Sequence, residues 1–112
     1  MKINELTDEQ MSKIADNRPY WMADNCREWM ADYRPEWMAN NRPEWMAEYR
    51  PYWMADVNPD WMAEYRPYWM ADNCPCWMAE NRPEWMADNR PDLYEMYKNP
   101  DEVPDQIMEI IE

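Results

Sequence analysis

From about Asn17 to Arg90 a short apolar block alternates with a short polar one at a fixed interval of eight residues. Trp stands at 21, 29, 37, 45, 53, 61, 69, 77 and 85, and each Trp is followed by Met and then Ala. An acid or Asn comes next, then Asn, Tyr or Val, and then usually Arg-Pro. Proline suits the first position of a helix, where no N–H is needed and φ is already helical. The residue before it is pushed out of the α region. Each octad therefore predicts a helix of about one and a half turns and an extended link. A single continuous helix is excluded, because an interior proline costs ~3 kcal/mol and nine octad starts between 19 and 91 carry one. Helices this short are unstable alone in water. The octads are therefore expected to stack and bury their tryptophans as the core, with the invariant Ala marking close backbone approach.

Both ends depart from the octad in the way that terminal repeats do. Thr7 with Gln10 is a capping-box pattern, and Leu6 and Met11 are placed as a hydrophobic staple. Ile14-Ala15-Asp16-Asn17-Arg18-Pro19 is already in register with the repeat, Lys13 standing in the Trp slot. After Arg90, Leu93 replaces Trp and Glu95 replaces Ala. Pro104 to Glu112 places Ile107, Ile110 and Ile111 at helical spacing, which predicts a closing helix over the last repeats.

A second period lies inside the first. Tyr33, Tyr49, Tyr65 and Tyr97 share one slot, and Tyr20, Tyr52 and Tyr68 share another; within each set the separations are multiples of 16. The intervening links carry Asn25-Cys26-Arg27, Val57-Asn58-Pro59 and Asn73-Cys74-Pro75-Cys76. The simplest account is a rung of two octads, with tyrosines along one edge and Asn and Cys along the other. Any even number of octads per turn gives the same pattern. The expectation is an all-α, short-period solenoid of Pro-initiated helices of one to two turns. It has an 8-residue repeat, a 16-residue superperiod and helical caps at both ends. It forms one repeat domain over 1–112, with a capping helix at 1–16, the array at 17–91 and acidic capping helices at 92–112.

Composition then narrows the chemistry. The chain has no Gly, His or Phe, and its net charge is −13. The array balances thirteen acids against eight Arg, whereas residues 92–112 hold seven acids and one Lys. Phosphate binding wants a basic patch, so a direct nucleic-acid ligand is disfavoured. No apolar run approaches the length of a membrane span. Three Cys, an odd number, without a secretion signal point to reduced thiols and a cytoplasmic protein.

The Trp-Met pairs offer thioether sulfur, a donor suited to Cu(I), but a packed repeat needs just such a stripe, and core packing is the reading adopted. Cys74-Pro75-Cys76 lacks the spacing and ligand number of a zinc site. The carboxylates recur as a regular solvated face and not as an acid–base pair. No metal, cofactor or catalytic group is expected.

The octad Arg82-Pro83-Glu84-Trp85-Met86-Ala87-Asp88-Asn89, with its copies over 17–91, resembles short octapeptide-repeat proteins of phages and bacterial genomes. No activity comes with that resemblance. The architecture is similar in logic to pentapeptide-repeat solenoids, some of which are acidic mimics of DNA. The expected function is non-enzymatic: an acidic protein-interaction module that occupies a basic, nucleic-acid-binding surface of a partner. The expected contact residues are Tyr20, Tyr33, Tyr49, Tyr52, Tyr65 and Tyr68, since tyrosine is enriched at interface hot spots, together with Glu95, Asp101, Glu102, Asp105, Glu109 and Glu112. Two alternatives remain open: a homo-oligomeric structural repeat, and a multi-core precursor peptide.

Overall fold

A computed structural model describes residues 1–112. A 3₁₀ turn at Ile3–Glu5 precedes twelve helices. These are α1 (Asp8–Asn17), α2 (Pro19–Asn25), α3 (Arg27–Tyr33), α4 (Pro35–Asn41), α5 (Pro43–Tyr49), α6 (Pro51–Val57), α7 (Pro59–Tyr65), α8 (Pro67–Asn73), α9 (Pro75–Asn81), α10 (Pro83–Asn89), α11 (Pro91–Tyr97) and α12 (Asp105–Ile111). There is no strand. The chain is an all-α, short-period solenoid built from Pro-initiated helices. It divides within α6 into two compact units, Met1–Met54 and Ala55–Glu112.

The α1 cap forms as the sequence predicts. The Thr7 hydroxyl accepts from the Gln10 N–H at 3.2 Å, and the Gln10 side-chain oxygen accepts from the Thr7 N–H at 2.9 Å. Two N–H groups at the helix start are thereby satisfied. Ala15 is buried like the alanines of the array, so α1 is in register with the repeat.

The link between octads differs from the expectation. Helices α2 to α11 each run seven residues, and single residues separate them. These residues hold φ near −135° and ψ near 54°, as at Arg34 (−135°, 54°) and Arg66 (−135°, 53°). The link is thus one residue long and not extended. Its geometry comes from the methionines on either side. The Arg34 N–H donates to the Met30 carbonyl at 2.7 Å, and the Met38 N–H donates to the Arg34 carbonyl at 3.0 Å. Helical bonding is therefore satisfied on both sides of the bend. Proline is not required for it: Cys26 precedes Arg27 instead of Pro and holds the same −135°, 54°. No residue has positive φ, which agrees with the absence of Gly.

The core also differs from the expectation. It is made of Met and Ala, and the tryptophans stand outside it. All nine array methionines from Met22 to Met86 are 0–1 % exposed. Ala23 to Ala79 are buried at the next position. Eight tryptophans are half-buried, and Trp21 is exposed. One residue of helix turns a side chain by about 100°. Met and Ala then point inward, while the preceding Trp lies on the flank. The flank leaves the large indole half-buried, and at Trp29 its N–H is buried without a hydrogen-bond partner. Unbranched Met fills a narrow, irregular interior.

Each unit is closed by contacts between successive layers of chain. In Met1–Met54, Arg34 meets Asp16 at 3.5 Å, Arg42 meets Asp24 at 3.3 Å and Arg50 meets Asp32 at 3.4 Å. In Ala55–Glu112, Arg82 meets Asp60 at 3.0 Å and Arg90 meets Asp72 at 3.4 Å. These partners lie 18 or 22 residues apart. In each unit, then, an octad meets chain between two and three octads away.

Candidate interaction surface

In each unit, tyrosines reach the Trp rings by two routes. At the last helical slot, the ring lies one turn beyond the Trp of its own helix. Tyr33 packs on Trp29 at 4.9 Å, Tyr49 on Trp45 at 4.9 Å and Tyr65 on Trp61 at 4.8 Å. In α4 and α10 that slot holds Asn, and the ring comes from the second helical position two octads earlier. Tyr20 meets Trp37 edge-on at 5.1 Å, and Tyr68 meets Trp85 at 5.2 Å. The Tyr20 hydroxyl donates to the Asn41 side-chain oxygen at 3.1 Å, and the Tyr68 hydroxyl to that of Asn89 at 3.4 Å. The same Asn side chains donate to the Trp37 and Trp85 carbonyls, each at 2.9 Å.

This geometry corrects the expected division into a tyrosine edge and an Asn edge. Tyr20 belongs to one class of link, and its partner Asn41 to the other. The missed signal was a spacing of 21 residues, which also separates Tyr52 from Asn73 in the sequence. All six tyrosines expected as contact residues are 52–67 % exposed, Tyr52 the most. Tyr20, Tyr33, Tyr49 and Tyr52 belong to the first unit, and Tyr65 and Tyr68 to the second.

Five of the seven link arginines are clamps. Arg34, Arg50 and Arg82 lie over Trp29, Trp45 and Trp77 at 5.3–5.7 Å. Arg42 and Arg90 lie over Tyr20 and Tyr68, at 5.2 and 4.7 Å. Each of these five also donates to the carbonyl of the residue before it and pairs with an Asp of the earlier layer. Guanidinium is the cation suited to this, since its plane stacks on a ring while its edge donates. Exposed ion pairs contribute only about 0–1 kcal/mol each, so the clamp owes much of its hold to stacking.

The thiols of Cys26, Cys74 and Cys76 are free. Burial pushes the Cys26 thiol up, and burial with the nearby Asp56 carboxylate does the same to Cys74. Both shifts disfavour the thiolate, the nucleophilic form.

In the C-terminal segment, Glu95 accepts from the Lys98 ammonium at 2.7 Å. That hydrogen bond, with the Glu95 charge, raises the Lys98 pKa. Asp101, Glu102, Asp105, Glu109 and Glu112 are all exposed. α12 forms where the sequence predicts a closing helix and is packed only in part, with Met108 half-buried. None of its residues is fully buried, and Ile110 and Ile111 are 77 % and 69 % exposed. No helix is long and apolar enough to cross a membrane.

No protein-family model matches the chain, and no curated protein or solved structure does.

Proposed function

We propose that the chain is a non-enzymatic, acidic interaction module that docks its tyrosines and carboxylates on a basic surface of a partner protein. The surface it would occupy is one that otherwise takes nucleic acid, so the module acts as an inhibitor. The observation that carries this reading is the division of charge. Arg34, Arg42, Arg50, Arg82 and Arg90 are engaged by rings and aspartates of the same chain, which leaves Arg18, Arg27 and Arg66 as the exposed arginines of the array among many exposed tyrosines and carboxylates. What a partner meets is anionic and aromatic. Such a field draws cationic surfaces and repels phosphate backbones. A reducing cytoplasm suits the three free thiols. The likeness of the octad to phage repeat proteins fits an inhibitor aimed at a host enzyme.

The test is capture from bacterial lysate on the immobilised full chain, at about 0.1 M and 0.5 M salt, which span strong and weak screening. The expected result is a basic, nucleic-acid-binding protein that is released by salt and displaced by added DNA. Recovery of the bait alone would move the assignment to a self-assembling structural repeat.

A further inference from the structure

Resting on that reading, we propose that α12 is the anchor of the interaction: an acidic, apolar helix that seats in a hydrophobic groove with a basic rim on the partner protein. The helix is seven residues long, too short to hold its form without packing, yet none of its residues is fully buried and only Met108 is half-buried. Ile107, Ile110 and Ile111 stand at the spacing of one helical face, with Val103 just before them. All four are exposed. An open hollow of about 290 Å³ is shared by Cys76, Met96, Tyr97 and Ile107, and Met108 is half-buried, so α12 is packed only in part.

The array treats its interior side chains differently: it seals nine methionines to 0–1 % exposure. An isoleucine face left open beside such a core is a surface awaiting cover. Helix-in-groove recognition reads such a face through anchors three and four residues apart.

Charge selects the occupant. Residues 101–112 carry five carboxylates and no basic residue. Glu109 lies beside Ile110, Glu112 beside Ile111, and Asp105 opens the helix. A second copy seated on this face would bring like charges together around it. A groove rimmed by Lys or Arg would pair with them and would receive the isoleucines in its floor. The tyrosines of the array add contact area outside this anchor.

The experiment uses the full chain and two synthetic peptides of about 14 residues, roughly four helical turns. Both consist of equal numbers of Leu and Lys. In one, the order gathers Leu on one helical face and Lys around it; in the other, the order is shuffled. Fluorescence anisotropy should show the wild-type chain preferring the segregated peptide by about tenfold. The I110S/I111S variant should bind both peptides alike, and circular dichroism should show its array intact. The D105N/E109Q/E112Q variant should bind the segregated peptide more weakly and with less salt dependence.

Equal wild-type binding to both peptides would overturn the α12 anchor while leaving the charge-led reading above intact. Binding of neither, or a preference kept by I110S/I111S, would also overturn it. A dimer in light scattering that I110S/I111S abolishes would assign the face to self-association instead. A lysate capture that fails while the peptide preference holds would remove the proposed partner class and leave the α12 site standing.

Discussion

Helices α4 and α12 are both seven residues long, and they meet opposite fates. α4 reads Pro-Glu-Trp-Met-Ala-Asn-Asn, and its Met38 is 0 % exposed. α12 reads Asp-Gln-Ile-Met-Glu-Ile-Ile, and its isoleucines stand in solvent. By side-chain hydrophobicity alone α12 should be the buried one. The difference lies in register. α4 is held between two one-residue links whose bonds to methionine fix its angle, and chain between two and three octads away closes around it. α12 follows the irregular stretch 98–104 and has no such frame. Burial here follows the position that a repeat imposes, and residue type is selected to fit it.

The largest expected effect breaks or keeps that comparison directly. Met38→Ala should cost about 2–5 kcal/mol, the range for deleting a buried long side chain and leaving a cavity. Ile110→Ala removes a similar volume from α12 and should change stability by less than about 0.5 kcal/mol. Urea unfolding followed by circular dichroism measures both. Comparable losses at the two sites would mean that α12 contributes to the core after all.

The alanine slot offers a smaller test. Ala71 is 0 % exposed, while Ala87, the same slot near the end of the array, is exposed. Ala71→Leu should cost about 1–3 kcal/mol through overpacking, and Ala87→Leu should be close to neutral. A thermal melt of each variant distinguishes them. Equal tolerance would show that the interior has room the methionines do not fill.

Those two sites also show how far the sequence can be read. The proline positions fixed the starts of α2 and of α4 to α11, and the Thr7 box fixed the start of α1. The invariant Ala announced a tight interior. Which of Trp and Met would be buried was not legible from size or burial tendency. That choice rests on a single step of helical rotation, and only the link angle decides it. The link angle itself was hidden, because the pre-proline rule favours extended backbone and the Met bonds override it. The exposed tyrosines were readable as candidates; their asparagine partners were not. A spacing of 21 residues has no meaning until the return distance between layers is known. The closing helix was legible, but the exposure of its isoleucines was not, because helical periodicity shows a face and not what covers it.

The smallest expected effect concerns the two routes by which tyrosine reaches the Trp flank. Tyr20 and Asn41 form one arrangement, and Glu28 with Tyr49 occupies the same pair of slots in the other. Tyr20→Phe keeps the edge contact to Trp37 and the Arg42 stacking but loses the hydroxyl bond. It should cost about 0.5–1 kcal/mol, the low end for an exposed hydrogen bond. Tyr33→Phe should cost less, since its ring leans on Trp29 without a comparable bond. Tyr20→Glu strips Trp37 and Arg42 of their ring and should cost about 1 kcal/mol. Asn41→Tyr alone sets two rings competing for Trp37. The double variant, Tyr20→Glu with Asn41→Tyr, converts one arrangement into the other and should return to within about 0.5 kcal/mol of wild type. A double-mutant cycle on these four proteins should then show a coupling of about 0.5–3 kcal/mol. Simple additivity would mean that the octads are not interchangeable. The near-identical link angles at Cys26, Arg34, Arg42, Arg50, Arg66, Cys74 and Arg82 would then conceal side-chain environments that each octad has settled separately.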